Sequence, residues 1–139
     1  LVRFTAGGDS GSVSAAGEPS AAVGGALAGP TLVQVTADTM GSGDDELGGL
    51  LLRSFIKTQP ELDTVPDAII FYNSGVKLCC EGSLLLDDLR ALEASGIEII
   101  ACGTCLNYFE LADRLAVGRV TDMLEIAGRL AAAGRVVRP

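Results

Sequence analysis

The chain has 139 residues, of which 10 are Lys or Arg, 18 are Asp or Glu and none is His, so its formal net charge is −8. The length suits one domain, and the acidic balance argues against a nucleic-acid partner, because phosphates are bound by Lys and Arg. The absence of imidazole excludes Ser/His/Asp hydrolysis, Cys/His nucleophile pairs and His-containing metal sites, so covalent chemistry would depend on cysteine or carboxylate.

Residues 1–30 contain 18 Gly, Ala or Ser and few large apolar side chains, a composition that predicts a flexible leader or linker. Residues 31–139 are rich in Leu, Ile and Val and are expected to form the globular domain. No apolar run approaches the roughly 18 residues of a membrane-spanning helix, and the Ala-rich part of the leader lacks the basic flank of a signal peptide. We therefore expect a cytoplasmic protein with no membrane association.

The first predicted elements are a strand over 31–36, which is β-branched and apolar, and a helix that begins at the acidic residues 44–46 and ends before Pro60. The intervening turn, 40–43, is rich in glycine and invites comparison with phosphate-binding loops. It lacks the P-loop lysine, and the acidic residues would repel a phosphate at the helix N-terminus. The pattern therefore favours a capped helix after a tight turn.

The remaining elements follow from the same signals of apolar runs, caps and breakers. In chain order they are a buried strand over 67–72, a helix begun by Ser83 and ended by Gly96, a strand over 97–101, a helix from about 106 to 115, a short strand over 118–121, a helix over 122–133 and a short strand over 135–138.

Strands that alternate with helices indicate βαβ units, and hence a parallel sheet covered by right-handed crossovers. We predict a three-layer, flavodoxin-like α/β domain with a mostly parallel five-stranded sheet. Ligands of such folds gather at the carboxyl ends of the strands. Three loops, 39–44, 73–81 and 102–107, are expected to meet there.

The segment Cys102-Gly103-Thr104-Cys105 contains the strongest chemical signal. Cys105 is expected near the first turn of a helix that leaves a buried strand, where free N–H groups stabilise a thiolate, so its pKa is expected below the ordinary value of about 8.5. Lys77 is expected nearby and would add to that effect. Cys102 continues the strand and is interpreted either as a core residue or as a second reactive thiol.

Cys79 and Cys80 are adjacent, unlike the spaced cysteines of secreted disulfide scaffolds, and indicate reduced thiols in the cytoplasm. The sequence lacks a second C-x2-C knuckle, so a four-cysteine zinc site is not favoured, and we expect these two residues to be inert. No metal or other cofactor is predicted.

Four segments, taken in order, resemble the YedF-type sulfurtransferase-like proteins of selenium metabolism: 40–48, 71–78, 102–107 and 115–118. The resemblance implies a DsrE/DsrF-like domain over 31–139, assembly into trimers or hexamers, and a cysteine that carries persulfide sulfur between proteins. The matching motif assigns that role to Cys105. Such proteins also begin with a TusA/SirA-like domain bearing a Cys-Pro-x-Pro motif, which this sequence lacks; residues 1–30 would then be the linker, and 1–4 the last strand of that domain.

Three hypotheses of function remain open. In a sulfur or selenium relay, Cys105 receives sulfur from a donor protein and passes it to an acceptor. Asn73 and Asn107 hydrogen-bond the terminal sulfur, and Lys77 stabilises the persulfide anion. Cys102 resolves the persulfide by forming a disulfide. In a non-catalytic oligomerisation or small-molecule-binding module, the thiols are incidental. A thiol–disulfide reductase would use Cys102 and Cys105 as a redox pair. Whether the chain is an enzyme stays open at this point.

Overall fold

Five parallel β-strands form the centre of the structure, a computed structural model that describes residues 28–139. The expectations for residues 1–27, including a flexible leader and a strand at 1–4, lie outside the described residues. Pro30, just before the first strand, accepts hydrogen bonds at its carbonyl oxygen from the N–H groups of Gly134 and Arg135 (N···O 2.9 and 3.3 Å). These hydrogen bonds join the start of the described chain to the segment that begins the last strand.

Strands and helices alternate along the described residues. In chain order they are β1 (Thr31–Val35), α1 (Asp45–Thr58), β2 (Ala68–Phe71), α2 (Leu86–Ala94), β3 (Glu98–Cys102), α3 (Gly103–Tyr108), β4 (Arg119–Thr121), α4 (Met123–Ala132) and β5 (Arg135–Val137). Three 3-10 helices complete the set, at Gln59–Glu61, Asn73–Cys79 and Ala112–Arg114.

The sheet has the strand order β4-β3-β2-β1-β5, and every pairing is parallel. This confirms the predicted three-layer α/β domain with a five-stranded parallel sheet. The first three crossovers step across the sheet in one direction and the last returns to the far side of β1. Because such crossovers are right-handed, α1 and α2 cover one face of the sheet and α4 covers the other.

The core is centred on β2, whose four residues are all buried. A continuous apolar run is typical of a strand covered on both faces, which is the reason that this segment was recognisable in the sequence. The register pairs Val35 with Phe71 and Phe71 with Ala101. The carboxyl ends of β1, β2 and β3 therefore lie side by side at one edge of the sheet.

The Gly-rich turn before α1 leads into a capped helix, as expected. The Asp44 carboxylate accepts a hydrogen bond from the Leu47 N–H (2.8 Å), and Asp45 and Glu46 occupy the first turn. Gly96, predicted to end α2, adopts a φ of +106°, a conformation that L side chains rarely take. Ser83 contributes a hydroxyl that accepts the Leu85 N–H (3.0 Å), so it fixes the turn before α2 instead of capping the helix itself.

The helix predicted over about 106–115 is wrong in both of its bounds, because α3 spans only Gly103–Tyr108. The helix ends early because Glu110 is in the left-handed region, at φ 59°. The Leu111 N–H then bonds to the Leu106 carbonyl (2.7 Å) and the Glu110 N–H to the Asn107 carbonyl (3.1 Å), which is the Schellman pattern. Glycine is the usual residue at this position, so the sequence gives no stop signal.

The chain after α3 returns to the 3-10 helix at Asn73–Cys79. The N–H groups of Ala116 and Val117 both donate to the Cys79 carbonyl (2.8 and 3.2 Å), and Leu115 forms an antiparallel bridge with Cys80. These contacts fasten the segment that follows β2 to the segment that follows α3.

Ion pairs join the starts of β3 and β4 to α4. Arg119 of β4 pairs with Glu98 of β3 and with Glu125 of α4, and Arg129 of α4 pairs with the same two carboxylates. Hydrogen bonds from Arg119 and Thr121 hold the pKa of the Glu125 carboxyl at about 2. Within residues 28–139, every helix is too short or too polar to cross a membrane.

Candidate functional site

The carboxyl ends of β2 and β3 bring together Asn73 and Cys105. The Asn73 N–H donates a hydrogen bond to the Cys105 Sγ, with an N···S distance of 3.0 Å. Cys105 is the third residue of α3 and is partly exposed, whereas the other three cysteines are buried. The placement of Cys105 in the first turn of a helix after β3 therefore agrees with the sequence prediction.

Asn73 reaches the sulfur through an uncommon backbone conformation, with φ at 53°. Asn tolerates this left-handed region better than most residues do, and such strain is concentrated at functional sites. Its side-chain Oδ1 accepts the N–H of Ser74 (2.8 Å). The side chain thus stabilises the turn while the main-chain N–H faces Cys105.

Gly75 allows the 3-10 helix to lie against the end of β1. A Cβ at this position would lie 2.4 Å from the Val35 carbonyl oxygen, so no other residue fits without displacement. The Tyr72 N–H also donates to this oxygen (3.1 Å), and Ser74 Oγ accepts the Asp38 N–H (3.3 Å). The position of the Asn73 N–H is therefore set by contacts with β1 and with the loop that follows it.

A cavity of about 400 Å³ opens at the Cys105 thiol, and its walls are Asn73, Thr104, Tyr108 and Phe109. The Tyr108 and Phe109 rings meet edge to face, with centroids 5.3 Å apart. Tyr108 is 81% exposed and stands at the mouth, while Phe109 packs against the core. The thiol is thus open to a reactant, and one side of the entrance is aromatic.

The balance of effects on Cys105 differs from the sequence prediction of a lowered pKa. Desolvation by burial raises the pKa of this thiol, the hydrogen bond from Asn73 lowers it, and the neighbouring Cys102 thiol raises it. Burial is the largest of these effects. Among residues 28–139, no cation is placed to lower this pKa. The Lys77 ammonium lies over the Phe109 ring, 4.6 Å from its centroid, and does not line the Cys105 cavity.

Of the five predicted site residues, the structure brings three together. Cys102 is the fully buried last residue of β3 and acts on the pKa of Cys105 as a hydrogen-bonding neighbour. Asn73 contributes its main-chain N–H, whereas the prediction did not specify which of its groups would form the hydrogen bond. Lys77 does not line the cavity but lies over Phe109, which forms one of its walls, and Asn107 is exposed and does not line it.

Sequence reasoning did not identify Thr104, Tyr108 and Phe109 as part of the site. Tyr108 and Phe109 follow Cys105 by three and four residues, a spacing that places side chains on one face of a helix. This spacing would have indicated both aromatic residues if the predicted helix had included Cys105. The predicted helix began one residue later, at about 106.

Cys79 and Cys80 lie in the interior. Burial raises the pKa of both thiols, and Cys80 Sγ donates to the Val76 carbonyl (3.3 Å). Across residues 28–139, no group of three Cys, Asp or Glu side chains is arranged to hold a metal ion. The partly exposed Cys105 is therefore the thiol that a reactant meets.

No protein-family model matches the sequence, and no curated protein matches it significantly. Several solved structures share its fold, including the following two. One is MTH1491 from Methanobacterium thermoautotrophicum, a protein of unknown function (23% identity, 78% of this chain and 97% of that chain covered, TM-score 0.59). The other is YchN from E. coli (16% identity, 79% and 99% covered, TM-score 0.56). The chain thus shares its parallel α/β fold with these two structures.

We expect Gly75→Ala to destabilise the domain by about 1–3 kcal/mol, the usual cost of forcing extra atoms into a packed contact. The clash with the Val35 carbonyl should also move Asn73 away from Cys105. Gly128→Ala, in α4, is the matched control, because a Cβ there meets no atom within 4 Å and should stabilise the helix by roughly 0.5–1 kcal/mol. Urea unfolding measures both changes, and equal stabilities of the two variants would contradict the role given to Gly75.

Iodoacetamide labelling across pH should modify Cys105 before the other cysteines, because those are buried. The labelling midpoint of Cys105 should lie above the value of about 8.5 for a free thiol, because burial outweighs the Asn73 hydrogen bond. Peptide mass mapping reports each cysteine separately, and labelling in denaturant confirms that all four can react. First labelling of Cys79 or Cys80 would show that the accessible thiol has been misassigned.

Proposed function

We propose that this domain is a sulfur or selenium relay module in which Cys105 carries the transferred atom as a persulfide or its selenium counterpart. The observation that carries the proposal is the hydrogen bond from the Asn73 N–H to the Cys105 Sγ at the base of an open cavity. A thiol held at such a position can act as a nucleophile. The same N–H is placed to stabilise negative charge on sulfur.

The transfer proceeds by two exchanges without net oxidation. Cys105 first loses its proton to solvent, and its thiolate attacks the terminal sulfur of a donor persulfide. A new S–S bond forms on Cys105, the donor S–S bond breaks, and the donor leaves as a thiolate. An acceptor thiolate then attacks the terminal sulfur, and the electron pair of the broken bond returns to Cys105.

The raised pKa of Cys105 fits a thiol that is unreactive until a partner docks. At neutral pH most of it is protonated, which limits oxidation by small oxidants. A bound donor that supplies a basic group or a cation at the cavity would shift the equilibrium toward the thiolate. The aromatic mouth formed by Tyr108 is the part of the site that such a partner would contact first.

Cys102 supplies an alternative fate for the persulfide. Its thiolate can attack the inner sulfur of the Cys105 persulfide, which forms a Cys102–Cys105 disulfide and releases hydrosulfide. The module is then oxidised and needs an external thiol to restore it. Cys102 is completely buried, and transfer to an acceptor is the main route in this proposal.

The wider setting of the proposal comes from the resemblance to YedF-type proteins. It includes donor and acceptor proteins in sulfur or selenium metabolism, a TusA/SirA-like domain as one such partner, and a cytoplasmic location where thiols stay reduced. The structural similarity to MTH1491 and YchN supports the fold on which this proposal rests.

A second candidate function is a non-catalytic oligomerisation or binding module. Large apolar side chains on α1 and around α4 favour it, because they are more than 40% exposed: Leu47, Leu50, Leu51, Val120, Met123 and Leu124. Exposed apolar area of this kind marks interaction surfaces. Assembly and sulfur transfer are compatible, so both can hold for one protein.

The relay predicts that incubation with a protein persulfide donor adds the mass of one sulfur atom to the chain. Cys105→Ser should abolish the gain. Cys102→Ser should retain it and prolong its lifetime, because the internal attack that releases hydrosulfide is removed. Intact-mass spectrometry measures all three proteins, and a sulfur gain that persists in Cys105→Ser would overturn the relay through Cys105.

Self-association as a trimer or hexamer is part of the proposal, and light scattering tests it. We expect an assembled species at micromolar concentration. Leu124→Glu and Leu47→Glu place a charge on each of the two apolar surfaces, and the variant that dissociates the assembly identifies the interface. A wild-type monomer at that concentration would contradict self-association and leave the persulfide measurement unaffected.

A further inference from the structure

A second cavity lies between α1 and the segment 77–85, separate from the one that holds Cys105. Its volume is about 430 Å³, which is in the range of small-molecule sites. Its walls include Gly49, Leu50 and Arg53 of α1, and Lys77 and Leu84 across from them. Ligands of parallel α/β sheets bind at this end of the strands.

Gly49 shapes one wall of this cavity. Glycine destabilises a helix interior relative to alanine, so its presence in α1 calls for a reason. The preceding Gly48 has one, because a Cβ there would lie 2.8 Å from the Thr39 Cβ. At Gly49 a Cβ would meet nothing within 4 Å. Packing does not require glycine at this position, and its missing side chain leaves the cavity open.

Arg53 carries an unsatisfied donor at the same cavity. Its Nε is buried and has no hydrogen-bond partner among the described residues. A buried donor of a charged group without a partner is costly, and native proteins satisfy such groups with protein atoms, water or a bound ligand. In the part of the chain that the structure describes, neither Arg53 nor Lys77 forms an ion pair. Two cations therefore line the cavity, and neither is ion-paired with a carboxylate of the described residues, although Lys77 also lies over the Phe109 ring.

Charge is distributed unevenly along α1. Asp45, Gly49 and Arg53 are spaced by four residues and lie on one face of the helix, with the Cα atoms of Asp45 and Arg53 about 12 Å apart along the helix axis. Asp38 and Glu46 also line the cavity. A ligand with one negative group can bind at Arg53, whereas a second negative group extending toward Asp45 would be repelled.

We propose that this cavity binds a small organic monocarboxylate with an aliphatic body. The carboxylate accepts hydrogen bonds from Arg53 and Lys77, and the body passes over Gly49 and contacts Leu50 and Leu84. Charge-assisted hydrogen bonds of guanidinium to carboxylate are among the strongest in proteins. The site is independent of the persulfide chemistry at Cys105, since the two cavities share no residue.

The test uses 4-methylpentanoate as the probe and its uncharged amide, 4-methylpentanamide, as the matched ligand. Titrations of the isotope-labelled full chain, followed by amide NMR, give both the dissociation constant and the residues that respond. We expect saturable binding of the carboxylate with shifts at Gly49 and Arg53. The amide should bind about tenfold or more weakly, because it loses the charge-assisted hydrogen bonds.

Four variants separate the proposed contacts from general effects. Arg53→Gln and Lys77→Gln should each weaken carboxylate binding by about tenfold, and either one suffices if the other does not fold. Lys57→Gln removes a cation from the last turn of the same helix and should leave binding unchanged, since Lys57 does not line the cavity. Gly49→Leu should fill the cavity and abolish binding while the amide spectrum stays that of a folded domain.

The proposal is overturned if the wild type shows no saturable binding or binds the carboxylate and the amide equally. It is also overturned if Lys57→Gln and Lys77→Gln lose equal affinity for the carboxylate, or if Gly49→Leu still binds it. Binding of inorganic phosphate as tightly as the monocarboxylate would also overturn it, because the acidic residues of the cavity should repel a doubly charged anion. Persulfide formation on Cys105 should be unchanged in Gly49→Leu, so failure of either proposal is seen separately.

Discussion

The contact between Gly75 and the Val35 carbonyl is the constraint on which the thiol site depends. It lets the 3-10 helix at Asn73–Cys79 lie directly on the end of β1, at a distance that no Cβ allows. Seven residues is long for a 3-10 helix, whose hydrogen bonds are less favourable than those of an α-helix. The helix is held by its surroundings, by β1 on one side and by the segment after α3 on the other. The strained Asn73 is a consequence of that placement.

The properties of Cys105 result from two opposing effects of the same placement. Packing the 3-10 helix against α3 buries part of the thiol and raises its pKa, and it also brings the Asn73 N–H to the sulfur, which lowers the pKa. A site designed only for a permanently ionised thiol would add a cation. Here Lys77 lies over Phe109, and the two groups stabilise each other through a cation–π contact. The arrangement keeps the thiol accessible without making it strongly acidic.

Much of the fold could be predicted because burial leaves a pattern in the sequence. The run over Ile69 and Ile70 is apolar at every position, as a strand covered on both faces must be, and Asp44 and Gly96 are standard helix-end residues. The end of α3 could not be predicted, because Glu110 adopts a conformation that normally selects glycine. Tertiary contacts of Leu115, Ala116 and Val117 with Cys79 and Cys80 hold the chain there, and no local signal announces them.

The same division applies to the site. Cys102 and Cys105 were found because a cysteine pair after a buried strand has a known chemistry, and Asn73 because it follows the neighbouring strand. That Lys77 and Asn107 do not line the Cys105 cavity could not be predicted, since sequence proximity does not reveal which way a side chain leaves a short helix. No sequence motif marks the Arg53 cavity. The cavity depends on Gly49, whose role can be recognised only when the atoms around it are known.

The strand order has a consequence for how the chain is made. β1 is the first strand of the described domain to leave the ribosome, and one of its two neighbours, β5, is the last. Until β5 has been made, β1 presents an unpaired edge that includes the apolar residues Leu32 and Val33. Such edges template pairing with other chains. A chain of this topology therefore exposes an apolar strand edge until its last strand is in place, even though every residue of the thiol site is already present.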